Sequence, residues 1–484
     1  MAESILPYKI LALGPFAPVP DGKFKPAFIE LDLYSLDEAL QAIAPVLYLP
    51  VPIELCPEGA LTLKFNRIKD FKPDSIIKNN SFLKSLFEEK KDTPRKVGKI
   101  DVAKIVTEKP NAVDDILSMV ASPDASSDET IKQSDTDGKI NTVMREVFSN
   151  IEFQKTESAW RGVQNLVKTA QIKGFKKISV SVCPASHSSL DQVLNAVESL
   201  PGDKMPNLIL IELDFDNTLP SIERLENIID FADKMMIPVC VNIKPDFFRL
   251  DDFNQMDKLP YIKNYLDDIS YAKFRKLKEH AGAPWLIVNC NAFAVRSPND
   301  FEDQPLAVNP VWATGTLCAM AVQETGWPMA FSRYNQYRID DLPMFHPEER
   351  NTASTKALFS DERIIQLTEV GITPVVGSRN KNFVFIPKEA SLTGDSIKFQ
   401  MFFNRIIESL INSKDQKIPD LNPEQAIKKA INDIFIQTGH DRPDDISVIG
   451  GSNDLQDQAI FRISFIPPAT VIAGSNMVEF SFAW

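Results

Sequence analysis

Between residues 178 and 290 the sequence alternates short apolar runs with amphipathic segments, and this alternation constrains the fold more than any other feature. Residues 178–182 read ISVSV, residues 208–214 read LILIELD and residues 237–243 read IPVCVNI. Nearly continuous apolar runs of this length are typical of strands that are covered on both faces. Residues 219–235 carry apolar side chains at helical spacing. The alternation predicts an α/β fold with a parallel sheet and right-handed crossovers.

The stretch 152–167, EFQKTESAWRGVQNLV, predicts an amphipathic helix at the start of this body. Trp160, Val163 and Val167 recur at helical spacing, so one apolar stripe can face a core. Glu157 and Arg161 stand four residues apart, in the order that favours an exposed ion pair on a helix. On the pattern alone, this is a structural helix that carries no site.

The chain divides into three predicted parts. Residues 1–87 predict a small α+β module, with short strands at 9–13, 51–55 and 60–65. Residues 88–141 predict a polar linker, because the Ser- and Asp-rich run 122–139 has too few apolar side chains to offset the entropy of ordering it. Residues 142–484 predict a large α/β body with a mixed sheet, and its C-terminal strands are expected to be antiparallel.

A short apolar stripe interrupts the predicted linker at residues 113–120. Val113, Ile116, Leu117 and Val120 form the stripe, with acidic residues at its start. Such an island is either a helix that packs on the rest of the chain or a docking helix for a partner. The residues alone leave both alternatives open.

Composition disfavours several classes of partner and compartment. The net charge of −13 argues against nucleic acid or an anionic membrane as the main partner. Five scattered cysteines without a CxxC motif suggest reduced, buried thiols in a cytoplasmic protein. The N-terminus lacks a basic region and a cleavage motif, so no signal peptide is expected. No apolar run approaches the roughly 18 residues of a membrane span.

The sequence offers no convincing constellation for catalysis. None of the four histidines stands at metal-ligand spacing from another, and phosphate-loop, nucleophile-elbow and zinc-protease motifs are absent from the sequence. Acidic pairs occur at residues 251–252, 340–341 and 444–445. Such pairs can bind a divalent cation, but they are more often turn residues and helix N-caps. We therefore predict no catalytic, metal-binding or cofactor-binding residue and no cofactor.

The helix at 152–167 resembles a signature of the large subunit of the type VI secretion contractile sheath. Phe153, Glu157, Trp160, Arg161 and Gly162 stand as in that family's "EFQ…E..WRGL" helix. Later motifs follow in the family's order: PDFF at 245–248, YAKFRKL at 271–277 and NPVWA at 309–313. The resemblance covers residues 142–484 and implies a sheath-type body.

The first part of the chain resembles the small sheath subunit. The matching motifs are LPY at 6–8, FIELD at 28–32 and DFKP at 70–73. The chain therefore looks like a natural fusion of the small subunit, over residues 5–87, with the large subunit. By the same resemblance, helix 113–120 is similar to a helix that docks a recycling ATPase in some members of the family. The last strand, with Val478, Phe480, Phe482 and Trp484, is similar to a strand that links subunits.

This resemblance implies a cytoplasmic structural protein rather than an enzyme. The expected partners are other sheath-type subunits, an inner tube, a baseplate and the recycling ATPase, with no nucleic acid and no membrane insertion. The family's exchange arms look shortened here, so one alternative is an accessory, cap or assembly protein that does not polymerise into an interlaced tube. A second alternative is an α/β enzyme without a recognisable motif.

Overall fold

A computed structural model describes residues 6–19, 24–92, 127–174, 177–345, 352–416, 421–453, 459–474 and 476–484. Its strands are β1 (Tyr8–Gly14), β2 (Ile29–Leu31), β3 (Val46–Pro50), β4 (Ala60–Lys64), β5 (Ile178–Pro184), β6 (Leu208–Phe215), β7 (Val239–Ile243), β8 (Leu286–Cys290), β9 (Phe293–Arg296), β10 (Leu306–Val308), β11 (Ile372–Pro374), β12 (Val376–Gly377), β13 (Val384–Phe385), β14 (Asp444–Asn453), β15 (Ala459–Ile466) and β16 (Val478–Ala483).

Its α-helices are α1 (Leu36–Ile43), α2 (Pro73–Asn79), α3 (Ser81–Asp92), α4 (Ser127–Ser149), α5 (Ile151–Thr169), α6 (Leu190–Glu198), α7 (Leu219–Met235), α8 (Ile262–Leu266), α9 (Ala272–Lys278), α10 (Val311–Thr325), α11 (Asp361–Glu369), α12 (Lys398–Gln416) and α13 (Pro423–Gln437). Within the described ranges, no helix combines the length and the apolar content needed to cross a membrane.

The central sheet has the strand order β11-β8-β7-β6-β1-β5-β2. All neighbours in it are parallel except β2, which runs antiparallel to β5 and makes the sheet mixed. Helices cover both faces, as buried parallel strands require. On one face, Leu11 of β1 and Ile209 of β6 share an apolar core with Val193 of α6 and Ile229 of α7.

Strand β1 is an interior strand of this sheet, although it comes from the N-terminal part of the chain. It pairs with β5 from Tyr8 to Gly14 and with β6 from Ile10 to Leu13. Leu11, Ala12 and Leu13 are almost completely buried. Because both edges of β1 are hydrogen-bonded, the body of the protein depends on the first residues of the chain.

Contacts divide the chain into two compact units, and each draws on separate segments. The first unit contains Met1–Pro45, Phe65–Ile68 and Gln154–Trp484, and therefore holds the whole central sheet. The second contains Val46–Lys64 and Lys69–Phe153, with the hairpin β3–β4 and helices α2, α3 and α4.

The α/β class, the mixed sheet and the C-terminal antiparallel strands agree with the sequence prediction. Helix α7 has the predicted bounds. The C-terminal strands form a sheet of order β14-β15-β16 with antiparallel pairing throughout. The predicted domain boundaries at residues 87 and 141 stay a prediction. Two of the features predicted within these boundaries differ from the structure.

The first difference concerns residues 51–55, which were expected to form a strand. The strand lies earlier, at Val46–Pro50, and residues 52–55 form a turn. Leu55 and Cys56 donate their backbone N–H groups to the carbonyl of Pro52, at 2.9 and 3.0 Å. Pro52 has no N–H to offer a neighbouring strand, so the chain turns at this point.

The second difference concerns the predicted linker 88–141. Residues 88–92 end helix α3, and residues 127–141 belong to helix α4. The second half of α4 buries Ile140, Val143, Met144, Val147 and Phe148. Once this half is anchored, each further helical residue adds a hydrogen bond, so the helix extends into a polar sequence that has no apolar stripe of its own.

Glycine 162 permits a close contact between α5 and α10 on the other face of the sheet. A Cβ atom on Gly162 of α5 would lie 2.2 Å from Nε1 of Trp312, on α10. Trp312 is fully buried, so its ring cannot move aside into solvent. The contact with Trp312 therefore explains why the third residue of the WRG triplet in α5 is glycine.

Glu212 is a buried carboxyl group on β6, on the same face as α5. The hydroxyl of Ser158 donates to its Oε1 at 3.3 Å, and its Oε2 has no hydrogen-bond partner among the described residues. Burial raises the pKa of Glu212 well above its ordinary value of 4.5. The group is therefore protonated in the folded protein under conditions in which the unfolded chain ionises it.

Substitution Gly162→Ala is expected to destabilise the protein by about 1–3 kcal/mol, because the added methyl group overpacks the contact with Trp312. The matched control is Gly138→Ala in α4, where nothing lies within 4 Å of the added Cβ. This control should stabilise by up to about 1 kcal/mol through helix propensity. Urea unfolding of both variants measures the difference, and equal stabilisation by both substitutions would contradict the close packing.

The protonated state of Glu212 predicts a fall of stability with rising pH. The contribution of Glu212 to the free energy of unfolding is fully present below pH 4.5. It declines as the pH rises from 4.5 to the raised pKa of the folded state. The slope from this one group reaches at most about 1.4 kcal/mol per pH unit. Glu212→Gln should abolish this slope, so the unfolding free energy of the variant minus that of the parent should increase with pH. Parallel pH profiles of the two proteins would disprove the assignment.

Candidate functional site

The predicted signature helix is α5, and its tryptophan anchors the N-terminal segment. Trp160 is fully buried and donates its indole N–H to the carbonyl oxygen of Phe16 at 2.9 Å. The ring of Phe16 meets Trp160 edge-on at 5.3 Å and Trp312 edge-on at 6.3 Å. Because Phe16 lies two residues after the end of β1, Trp160 fixes the chain where it leaves the sheet.

Phe153 belongs to the second unit, where it is fully buried. Its ring lies 5.1 Å from that of Phe148 and 6.0 Å from that of Phe71, edge-on in both contacts. The boundary between the two units falls between Phe153 and Gln154, inside α5. The signature residues are therefore divided between the two units: Phe153 is buried in the second unit and Trp160 in the first.

Glu157 corrects the prediction of an exposed ion pair. Its side chain is completely buried, and Arg161 contacts it at 3.3 Å. Arg296 at the end of β9 adds a bidentate contact, with Nε and Nη2 at 2.9 and 3.0 Å from the two carboxylate oxygens. Since residue 296 is far along the chain, helical spacing could not reveal this second cation.

The guanidinium of Arg296 joins two carboxylates. It also contacts Glu302, at 2.7 Å, in the loop that follows β9. Burial alone lowers the pKa of Arg296, but the carboxylates of Glu157 and Glu302 outweigh burial and raise that pKa. For Glu302, burial raises the pKa and the charge of Arg296 partly offsets it. These charges position the loop on α5.

A second buried network attaches β1 to helix α12 and was not found from the sequence. The guanidinium of Arg405 is 1% exposed, lies 5.6 Å from the ring centre of Tyr8, and donates to the carbonyl of Leu6 at 2.8 Å. Arg405 also contacts Glu408 at 3.0 Å, and Glu408 contacts the ammonium group of Lys9. The signal would have been two charged residues, three positions apart, in an otherwise apolar helix face.

The predicted terminal strand is β16, and its aromatic residues lie on one side of it. Val478 is buried, whereas Phe480, Phe482 and Trp484 are half-buried. The strand pairs with β15, with Phe480 opposite Ile463 and Phe482 opposite Phe461. Among the described residues, no further strand pairs with the other edge of β16 or with that of β14.

The other residues considered in the sequence analysis, helix 113–120 and the acidic pairs, do not come together in one site among the described residues. Helix 113–120, with Val113, Ile116, Leu117 and Val120, lies outside the described residues. Of the acidic pairs, Asp252 caps a short helical turn by accepting from the N–H of Asn254, and Asp340 pairs with Arg338 at 2.8 Å. In the described part of the chain, no group of three or more His, Cys, Asp or Glu residues is arranged to hold a metal ion.

Two protein families match the chain. Residues 1–119 match the VipA family of the type VI secretion system. Residues 199–393 match the tail sheath N-terminal domain of the EvpB family. No curated protein matches the chain in sequence.

Solved sheath structures resemble the chain only distantly. The sheath tail protein of Listeria innocua is 13% identical, over 64% of this chain and 64% of that chain, with a TM-score of 0.36. The PVC sheath complex of an extracellular contractile injection system, in the contracted state, is 13% identical over 65% and 80%, with a TM-score of 0.36. The helical sheath of the anti-feeding prophage, in the contracted state, is 11% identical over 66% and 77%, with a TM-score of 0.33.

At these scores the structural likenesses carry no conclusion, and the assignment depends on the two family matches. The VipA match covers the small-subunit motifs, and the tail sheath match, which follows it along the chain, covers the large-subunit motifs at 245–248, 271–277 and 309–313 and begins after the helix at 152–167. The chain belongs to the contractile sheath proteins of type VI secretion and joins a small-subunit and a large-subunit segment in one polypeptide.

Proposed function

We propose that this protein polymerises with copies of itself into a sheath around an inner tube, and that it works by contraction of this lattice without catalysis. The observation that carries the proposal is the C-terminal sheet β14-β15-β16, in which both outer strands leave an edge without a strand partner among the described residues. Unpaired strand edges are ready templates for pairing with another chain.

The register of β16 identifies which backbone groups are free to pair. Trp484 donates its N–H to the carbonyl of Ala459 at 2.9 Å, so residue 484 faces β15. Because hydrogen-bonding direction alternates along an antiparallel strand, residues 482 and 480 also face β15, and residues 479, 481 and 483 face away. In agreement, the carbonyl of Ala483 accepts from Nζ of Lys414, at 3.1 Å, and not from β15.

Strand addition at this edge accounts for a helical polymer. A strand of one copy that pairs with a different surface of the next copy makes a heterologous contact, and a chain of such contacts is open when the rotation does not close. The intersubunit residues proposed from the sequence, Val478, Phe480, Phe482 and Trp484, all lie on this strand or directly after it.

The mechanical step needs rigid bodies joined by contacts that have two stable packings. The buried networks around Glu157 and Arg405 contribute to such a body, because the first fixes β9 and the loop after it to α5, and the second fixes α12 to β1. We further propose the inner tube, a baseplate and a recycling ATPase as partners. A cytoplasmic location fits the five cysteines, which are all free and buried.

Substitution Ser481→Pro is expected to abolish polymerisation and leave the monomer folded. Ser481 is exposed, and its N–H faces the open edge, so proline removes a donor that β15 does not use. Ser481→Ala is the matched control, because it keeps the N–H and should polymerise as the parent does. Negative-stain electron microscopy and sedimentation measure the polymer, and thermal unfolding measures the monomer.

Two outcomes would count against the proposal. A parent protein that remains monomeric at high concentration would favour the accessory or cap role over a self-assembling sheath. Tubes formed by Ser481→Pro with the parent's yield would show that the edge of β16 is not the contact.

A further inference from the structure

Three aromatic rings at the hairpin β12–β13 contact one another at the protein surface. Phe383 directly precedes β13 and Phe385 ends it, so both point to one side, while Val384 between them is buried. The rings of Phe383 and Phe385 lie 6.1 Å apart, and the ring of Tyr334 lies 5.2 Å from that of Phe385. Tyr334 is 52% exposed, and both phenylalanines are half-buried. We call Tyr334, Phe385 and Phe383 the aromatic row.

Arg338 continues this row with a positive charge. Its guanidinium lies over the ring of Phe383, 4.8 Å from the ring centre. Ile339 exchanges two backbone hydrogen bonds with Val384, at 2.9 and 3.0 Å, so this segment runs antiparallel beside β13. A cation over a ring face is attracted by the quadrupole of the ring. The contact therefore holds the charge of Arg338 at one end of the aromatic row.

Basic side chains outnumber acidic ones around the aromatic row. Residues 332–341 and 378–388 contain five basic and two acidic side chains, all of them exposed: Arg333, Arg338, Arg379, Lys381 and Lys388 against Asp340 and Asp341. Asp340 pairs with Arg338 at 2.8 Å, and within the described ranges no carboxylate pairs with the other four cations. This surface is therefore opposite in sign to the whole chain, whose net charge is −13. We call the aromatic row and the five basic residues the cationic face.

We propose that the cationic face binds an acidic segment of a partner protein, and that this segment carries apolar side chains between its carboxylates. The proposed function does not use this surface, so the inference goes beyond it. Charge complementarity specifies the acidic character, because four cations have no internal partner to neutralise them. The aromatic row specifies the apolar side chains, since tyrosine and arginine are the residues that most often dominate the energy of protein contacts.

The contacts within the aromatic row argue against nucleic acid as this partner. Single-stranded nucleic acid binds such surfaces by stacking its bases on free ring faces. Arg338 already lies over the ring of Phe383, and the ring of Phe385 contacts two neighbouring rings. The net charge of −13 also repels a long polyanion, whereas a short acidic segment interacts mainly with the charges within about 8 Å of it.

A charge reversal at the hairpin tip tests the proposal. Arg379 and Lys381 are exposed, so the double variant Arg379→Glu, Lys381→Glu should unfold at the parent's temperature. A fluorescent peptide of repeated Glu-Glu-Phe should bind the parent more tightly than a Lys-Lys-Phe peptide does. The double variant should bind the Glu-Glu-Phe peptide at least about tenfold more weakly. Fluorescence anisotropy of the peptides, at protein concentrations below those that polymerise, gives the affinities.

The matched control reverses two lysines elsewhere. Lys273 and Lys276 of α9 are exposed, and α9 packs on the face of the central sheet opposite α10, which contacts β13. The double variant Lys273→Glu, Lys276→Glu changes the net charge by the same amount and should keep the parent's affinity for the Glu-Glu-Phe peptide. An equal loss of affinity in both double variants would overturn the proposal, because the overall charge alone would then explain the binding.

The aromatic row has its own test at Tyr334, its most exposed ring. Tyr334→Ala should weaken binding of the Glu-Glu-Phe peptide about tenfold, whereas Tyr334→Phe keeps the ring and should bind as the parent does. Equal affinities of these two variants would overturn the apolar part of the proposal.

Two further outcomes identify a different occupant and would also overturn the proposal. One is an oligothymidine that binds the parent more tightly than the Glu-Glu-Phe peptide and is lost in the Arg379→Glu, Lys381→Glu variant. The other is a parent that binds no peptide, together with loss of polymerisation in the same variant, which would make the occupant a second copy. Because peptide binding is measured on unpolymerised protein, its failure is distinct from a failure of the proposed function.

Discussion

The structure depends on the backbone pairing of β1 between β5 and β6. Seven residue pairs join β1 to β5 and four join it to β6, so a strand from the N-terminal part of the chain completes a sheet whose other strands, apart from β2, come from its later part. Each end of β1 is also fixed by side chains from that later part: Trp160 binds the carbonyl of Phe16, and Arg405 binds that of Leu6. The small-subunit segment therefore contributes an interior strand of the central sheet.

This arrangement gives the fused chain a physical rationale. Removing β1 would leave two buried strands with unpaired backbone groups in the middle of the sheet, and such groups are costly when they are shielded from water. Joining the two segments covalently keeps the strand at high effective concentration next to its partners. Within the described residues, β1 thus has a strand partner on both sides, whereas the outer strands of the C-terminal sheet, β14 and β16, each have one.

The sequence predicted helices and strands well where burial of one face or of both faces produces a regular apolar pattern. The apolar run at 208–214 and the helical spacing at 219–235 needed nothing beyond periodicity. Periodicity indicates that β1 is buried, but it does not indicate which strands flank it, because pairing partners share no local pattern. Helix α4 was missed for a related reason: only its second half carries an apolar stripe, and the first half follows by propagation.

Side-chain roles were predicted less completely than elements. Glu157 looked exposed because its second cation, Arg296, is 139 positions away. The aromatic row of β16 could be found from alternation. The function came from the ordered resemblance of motifs, since the residues of α5 alone indicate only a structural helix.

Native-state hydrogen exchange tests the central position of β1 most directly. The backbone amides of residues 8–14 should exchange as slowly as those of β5 and β6, because all three strands open only with global unfolding of the sheet. Mass spectrometry of peptides from the three strands gives the comparison under one set of conditions. Rapid exchange in residues 8–14, with β5 and β6 still protected, would contradict the account, because the N-terminal strand would then be an accessory to the body and not its centre.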